Sequence, residues 1–235
     1  MPDHLPGNST QLTSDRAYAL WAATYDSTPN AVLSLEERYL RKMLPLLEGR
    51  EILDLGCGTG RALQGLSSAK SYVGLDRSPA MLARAASKIR ASSHLVQADC
   101  LKLPLPSQSA DIVIGSFLLG YVDLMAFAAE LTRVSKPGTE LYLSEFHPDG
   151  LALGWKRQFR SEGHVIELPT RACSPDEVER AFGYHGFSIA QRVEPPFGPE
   201  EYDIFVVQGM QALFESVRHT RAIFICHLRR ISRDA

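Results

Sequence analysis

The chain has 235 residues, 45% of them hydrophobic and 22% charged, which suits one sizeable domain around its own core. A formal net charge of −2 gives no basic field for a phosphate backbone, and the cysteines Cys57, Cys100, Cys173 and Cys226 lie far apart with no CxxC pair. Nucleic acid is therefore excluded as an expected partner, no metal site or disulfide is expected, and a reducing compartment is the expected setting.

Residues 1–15 are polar, carry Pro2, Pro6 and Gly7, and are expected to be flexible. Their sequence has no signal-peptide core, and no apolar run approaches the ~20 residues of a membrane helix, so a cytoplasmic protein without a membrane partner is expected. A single domain is expected over 16–235. Its first part, 16–48, holds the aromatic "RAYALWAATYD" and the amphipathic "LSLEERYLRKMLPLL". A helix ahead of the first strand has no place in a sheet, so this part reads as a helical lid.

From Glu51 onward, strand and helix signals alternate. "EILDLG", "SYVGLD", "SHLVQAD", "ADIVIGSF" and "ELYLSEF" read as strands, and "RALQGLSSA", "SPAMLARAASKIR" and "LMAFAAELTRVS" as the helices between them. Ser78 and Pro79 form a helix start, and Pro137 with Gly138 a helix stop. The segment 148–174 reads as a β-hairpin-like insertion turning at Glu162-Gly163, followed by the helix "SPDEVERAFGYHGF". "SIAQRV" and "AIFICHLRR" are the final strands, and 194–220 is an insertion on the substrate side. The fold class is α/β: a Rossmann-like, mostly parallel sheet of seven strands, with helices on both faces and the last strand antiparallel.

"ILDLGCGTG" places Gly56, Gly58 and Gly60 where the first strand turns into a helix. In an open α/β sheet, ligands lie beyond the carboxyl ends of the strands, and glycines there let a ligand approach the main chain. The dinucleotide fingerprint needs G-x-G-x-x-G, but its third place holds Arg61. Asp76 ends the second strand, where a carboxylate can accept two ribose hydroxyls. Asp99 leaves the third and is placed for an adenine amino group. Asp54 lies inside the first strand, where it can orient the loop or meet an ammonium.

With these features in register, the chain resembles the class I S-adenosylmethionine-dependent methyltransferases, in particular the small-molecule branch of ubiquinone and menaquinone biosynthesis type. The resemblance runs through "YALWAATYD", "ILDLGCGTGR", "VGLDRSPAML", "LVQADCLKLPLP", "ADIVIGSFLLGYV" and "ELTRVSKPGTELYLSEF". It implies that the glycine loop holds the methionine part of the cofactor, Asp76 the ribose, and Asp99 with Cys100 the adenine. It further implies that Arg77 and Met81 flank the adenine, that Ser116 and Phe117 line the floor, and that Tyr25 and Tyr18 close over the carboxylate. "SFLLGYV" departs from the pattern by lacking a pair of histidines often found there, which leaves Tyr121 as its polar ring.

Methyl transfer from a sulfonium is an in-line displacement that needs a base only when the acceptor must lose a proton. His147 follows the fifth strand on the same side as Glu145, and is the candidate general base; capping of the chain before Pro148 is the competing role. Glu145 reads as structural or cofactor-facing. Arg157 or Arg171 offers a partner for a substrate carboxylate, with solvated charge as the commoner explanation, and Trp155 and Phe159 read as packing residues. The expected activity is methyl transfer from S-adenosylmethionine to an O- or N-centred small molecule, leaving S-adenosylhomocysteine, in a monomer or homodimer. The alternatives are a non-catalytic S-adenosylmethionine-binding protein and another transferase using the same pocket.

Overall fold

A computed structural model of the chain describes residues 9–62, 68–89 and 92–231. In chain order the elements are β1 (Ser9–Gln11), α1 (Ser14–Trp21), α2 (Ala31–Met43), β2 (Glu51–Leu55), β3 (Ser71–Asp76), α3 (Pro79–Ala85), β4 (Ser93–Gln97) and β5 (Ala110–Ser116). A short 3-10 turn (Leu119–Tyr121) then leads to α4 (Leu124–Val134), β6 (Ser135–Phe146) and α5 (Pro148–Ala152). After these come β7 (Gln158–Ser161), β8 (His164–Glu167), α6 (Pro175–Tyr184), β9 (Phe187–Val193), α7 (Pro199–Val207), α8 (Gln211–Val217) and β10 (Ile223–Arg230).

Seven strands form the central sheet in the order β4-β3-β2-β5-β6-β10-β9. The pairs from β4 to β6 are parallel, and β10 runs antiparallel to both β6 and β9. The expected fold class is the observed one. Alternate side chains of each strand enter different cores. Leu53, Leu55, Val113, Leu141 and Leu143 pack with Phe127 of α4 and Phe182 of α6. On the other face, Ile52, Ile112, Ile114 and Ile225 pack with Leu35 of α2, Phe205 of α7 and Phe214 of α8.

Capping residues start the helices as their chemistry requires. Asn30, Ser78, Asp123 and Ser174 each accept backbone N–H bonds at a first turn, and Ser174 with Glu177 completes a capping box. Pro137 and Gly138 do not separate helix from strand as expected. Ala110 faces Ser135 and Ile112 faces Glu140, so the residues between Ser135 and Glu140 bulge out within β6, with Gly138 at φ +81°.

A second sheet of order β1-β8-β7 lies beside the first. The hairpin turns at Glu162 and Gly163, both at positive φ, where the sequence places it. Residues 9–11, within the stretch expected to be flexible, instead form β1, because β8 offers them a parallel edge from Val165 to Glu167. Trp21 of α1 stacks on Phe159 of β7 with centroids 4.7 Å apart, and a small third core of Ala17, Trp21, Met81, Phe159, Ile166 and Leu168 ties α1 to this sheet. The predicted helix 61–69 falls largely on 63–67, which lie outside the described residues.

Candidate active site

Beyond the carboxyl ends of β2, β3, β4 and β5 lies a cavity with about 1030 Å³ of free space including its mouth, lined by residues of these strand ends, α1, α3 and the 3-10 turn. Of the residues named from the sequence, Tyr18, Tyr25, Gly56, Gly58, Asp76, Arg77, Met81, Asp99, Cys100, Ser116 and Phe117 line it. Segments far apart in the chain therefore converge on one concave surface, as ligand sites at such switch points do.

The glycine loop owes its shape to three left-handed residues: Gly56 at φ +62°, Gly58 at +54° and Gly60 at +74°. A Cβ on Gly58 would have nothing nearer than the Gly56 carbonyl oxygen at 4.0 Å. A side chain there would enter the cavity, so its absence keeps the cradle open. Asp76 fixes the loop from the next strand, accepting the Gly58 N–H at 2.8 Å and the Ser78 N–H at 2.8 Å. Burial raises the Asp76 carboxyl above its ordinary value, and these N–H donors oppose that shift. Asp99 accepts the Leu101 N–H at 2.9 Å.

The floor is strained. Phe117 adopts φ +56°, which costs a bulky residue about 1–3 kcal/mol and persists only under restraint. The restraint comes from both sides of its peptide. Its N–H donates to the Ser144 carbonyl at 3.0 Å, and its own carbonyl accepts from Arg157 Nη1 at 2.5 Å. Beneath Ser116 lies Glu36, a fully buried carboxylate that accepts from Ser116 Oγ at 2.6 Å, Ser144 Oγ at 3.0 Å and Arg61 Nη2 at 2.6 Å.

Arg157 is buried as well, 6% exposed. Nη2 donates to Glu145 Oε1 at 2.6 Å, and Nη1 also reaches Tyr18 Oη at 3.2 Å. The guanidinium lies 4.9 Å from the Tyr121 ring centroid and 5.1 Å from that of Phe146. Tyr18 Oη and Tyr121 Oη are 3.3 Å apart. Burial raises both Tyr121 and Tyr25, so these phenols remain protonated donors.

The N-terminal helical segment is tied to the glycine loop. Asp26 accepts from Thr59 Oγ1 at 2.6 Å and from Lys88 Nζ at 2.7 Å, while Asp15 meets Arg77 at 3.1 Å across exposed surface. The last pair contributes little, because water screens it.

Three expectations are revised. Asp54 does not line the cavity; it is buried, accepts Tyr72 Oη at 2.5 Å, and is pushed up to about 7 by burial. Gly60 shapes the loop without lining the cavity. His147 is absent from the lining, and both ring nitrogens are engaged elsewhere. Nδ1 accepts the Asp149 N–H at 3.0 Å as the cap of α5, and Nε2 meets Glu194 at 2.9 Å. Strand parity does put it on the side of Glu145, but the chain turns into α5 at Pro148 and takes the imidazole with it. In this structure the imidazole serves as the cap of α5.

The solvated-charge reading of Arg157 fails on its burial, whereas Arg171 is exposed and pairs with Glu177 at 3.3 Å. Glu36 was missed, yet a signal existed. It stands four residues from both Val32 and Leu40, on the apolar stripe of α2. Cys57 is buried and its thiol is raised by burial, so it is no nucleophile, and Cys100 is pushed up to about 11. Among the described residues, no group of His, Cys, Asp and Glu side chains could hold a metal ion, and no helix is long and apolar enough to cross a membrane.

Residues 53–143 match the model of a methyltransferase domain family. The malonyl-[acyl-carrier protein] O-methyltransferase of Marinomonas sp. (strain MWYL1) is 39% identical over 121 residues, covering 49% of this chain and 44% of that protein. A demethylmenaquinone methyltransferase of Corynebacterium urealyticum is 38% identical over 133 residues, covering 52% and 54%. The chain thus spans about half the length of these curated relatives. The crystal structure of an S-adenosylmethionine-dependent methyltransferase from Mesorhizobium loti superposes with a TM-score of 0.67 at 25% identity, over 86% of this chain and all of that one. The seven-stranded sheet is the Rossmann-like methyltransferase fold.

Proposed function

We propose that the chain is an S-adenosylmethionine-dependent methyltransferase acting on a small-molecule acceptor. The observation that carries this reading is the open glycine cradle, with Asp76 and Asp99 at the next two strand ends in one cavity. This donor set fits the cofactor. Asp76 and Asp99 offer acceptors for hydroxyl and amino groups, the glycine loop admits a chain with no side chain in its way, and Met81 supplies an apolar wall. S-adenosylmethionine, when bound, supplies a methyl group already activated by a sulfonium.

The protein's share is placement. Phe117 and Ser116 form the floor, Tyr18 and Tyr25 the cover, and Asp26 keeps the cover on the loop by accepting from Thr59. Closure excludes water and holds the acceptor in line, which supplies much of the acceleration expected of a reaction with an activated donor. Cytoplasmic location and a monomeric or homodimeric state belong to the same reading.

The test is ligand-dependent stability. S-adenosylhomocysteine at one hundred times its dissociation constant should add about 2.7 kcal/mol, a rise of roughly 5–10 °C in melting temperature at this chain length. Gly58→Val should abolish the rise by filling the cradle, and Asp76→Ala should reduce it, with circular dichroism confirming that both variants fold. Stabilisation by NAD and not by S-adenosylhomocysteine would overturn the reading.

A further inference from the structure

The polar groups at the acceptor end of the cavity are of one kind. Apart from the Ser116 hydroxyl, which is committed to Glu36, they are phenols: Tyr18, Tyr25 and Tyr121 all line the cavity, and Tyr18 and Tyr121 are the two that meet each other. The lining carboxylates are Asp15, Asp76 and Asp99, on α1 beside Arg77 and at the ends of β3 and β4, and among the described residues no histidine lines the cavity. Among the described residues, hydrogen-bond donors are thus gathered where an acceptor would sit.

Those donors are polarised from behind. Arg157 donates to Tyr18 Oη at 3.2 Å, which occupies a lone pair of that oxygen and favours donation of its proton toward Tyr121 Oη, 3.3 Å away. The Tyr121 proton is then free for a ligand, and the chain of bonds strengthens each member. Glu145 does not fully quench the cation. Its carboxylate is shared among Arg157, the Gly120 N–H at 2.9 Å and the Phe146 N–H at 2.9 Å. Arg157 Nε, moreover, is buried with no hydrogen-bond partner. The positive charge is held in low dielectric against the rings of Tyr121, Phe117 and Phe146, where its field is weakly screened.

We propose that Tyr18 and Tyr121, positioned by Arg157, form a subsite for an acceptor oxygen that is already anionic when it binds: a carboxylate or an acidic enol, not an amine or an alcohol. An oxygen ionised beforehand has no proton to lose, which matches a cavity end whose described residues offer phenol donors. This rests on the methyltransferase reading. Within it, Arg157 is a positioning residue that acts through the two phenols.

The experiment is calorimetric titration of the full-length protein, saturated with S-adenosylhomocysteine at pH 7.5, with 2-naphthoate and with its neutral isostere 2-naphthamide. The expected result is at least tenfold tighter binding of the acid. Tyr121→Phe should weaken the acid at least fivefold, weaken the amide by less and leave S-adenosylhomocysteine unchanged, and Tyr18→Phe should likewise weaken the acid more than the amide. Equal or tighter binding of the amide, binding of neither probe, or an acid preference that survives Tyr121→Phe would overturn the subsite. Failure of S-adenosylhomocysteine itself to bind would overturn the methyltransferase reading, and the subsite with it.

Discussion

Asp54 sits near the carboxyl end of β2 with its carboxyl buried against Tyr72, and in the folded chain it holds its proton up to about pH 7, against 3.8 ordinarily. Burial is the main cause. Between those two values the folded state binds more protons than the unfolded one, so this residue's contribution to stability is full below the lower value and declines as pH rises through about 7. Asp54→Asn has no such titration. Its melting temperature relative to the parent should rise by a few degrees from pH 5 to pH 8, measured by differential scanning calorimetry; a difference independent of pH would show that Asp54 does not titrate in this window. Legibility differs sharply among the buried charges. Asp54 and Asp76 announce themselves by their place in strands that run into turns. Glu145 and Arg157 could not be paired from the sequence, because the partner of each is fixed by how the chain returns after α5, a tertiary matter with no local signal. Glu36 lies between these cases: its helical position marks a buried face, while its charge argues for the surface.

At the scale of elements, the central strands were legible because alternation and short apolar runs survive burial on both faces, as in "SYVGLD", whose limits coincide with β3. β1 was not legible. Ser9, Thr10 and Gln11 carry no apolar signal, and the strand exists because β8 presents unpaired backbone. α1 and β1 together form a cover whose aromatic face rests on Phe159, with Tyr18 and Tyr25 reaching the cavity. Deletion of residues 1–26 should therefore leave the circular dichroism of the large sheet intact, while weakening S-adenosylhomocysteine at least tenfold in titration calorimetry. Undiminished affinity in the truncated protein would show that the cover plays no part in holding the ligand.

For the whole molecule, the division into three cores gives a built-in pair of reporters. Trp21 belongs to the small core of the cover, whereas Trp155 packs beside Phe197 in the core under α2, α7 and α8. Small satellite cores open at lower free energy than the main one. In urea, the fluorescence of a Trp155→Phe variant, which reports Trp21, should change at lower denaturant than that of Trp21→Phe, which reports Trp155. S-adenosylhomocysteine should bring the two midpoints closer if it binds as proposed, in contact with both cover and sheet. Coincident midpoints without ligand would mean that cover and sheet unfold as one unit.

The strand order also sets a timetable for the growing chain. The glycine loop, Asp76 and Asp99 have all been made by residue 99, but β1 must wait for β8, whose pairing joins Ser9 to Val165. At ordinary rates of synthesis that wait is roughly 8–30 s. β9 waits as well, since its neighbour in the sheet is β10 and not the earlier β6. On the ribosome, then, the early strands present the edge that lines the cavity long before its cover can close, and the sheet stays unfinished until Arg230 has emerged. A nascent chain stalled before that point would expose the β6 edge that β10 later covers, a surface for chaperones to shield or for other unfinished copies to pair with.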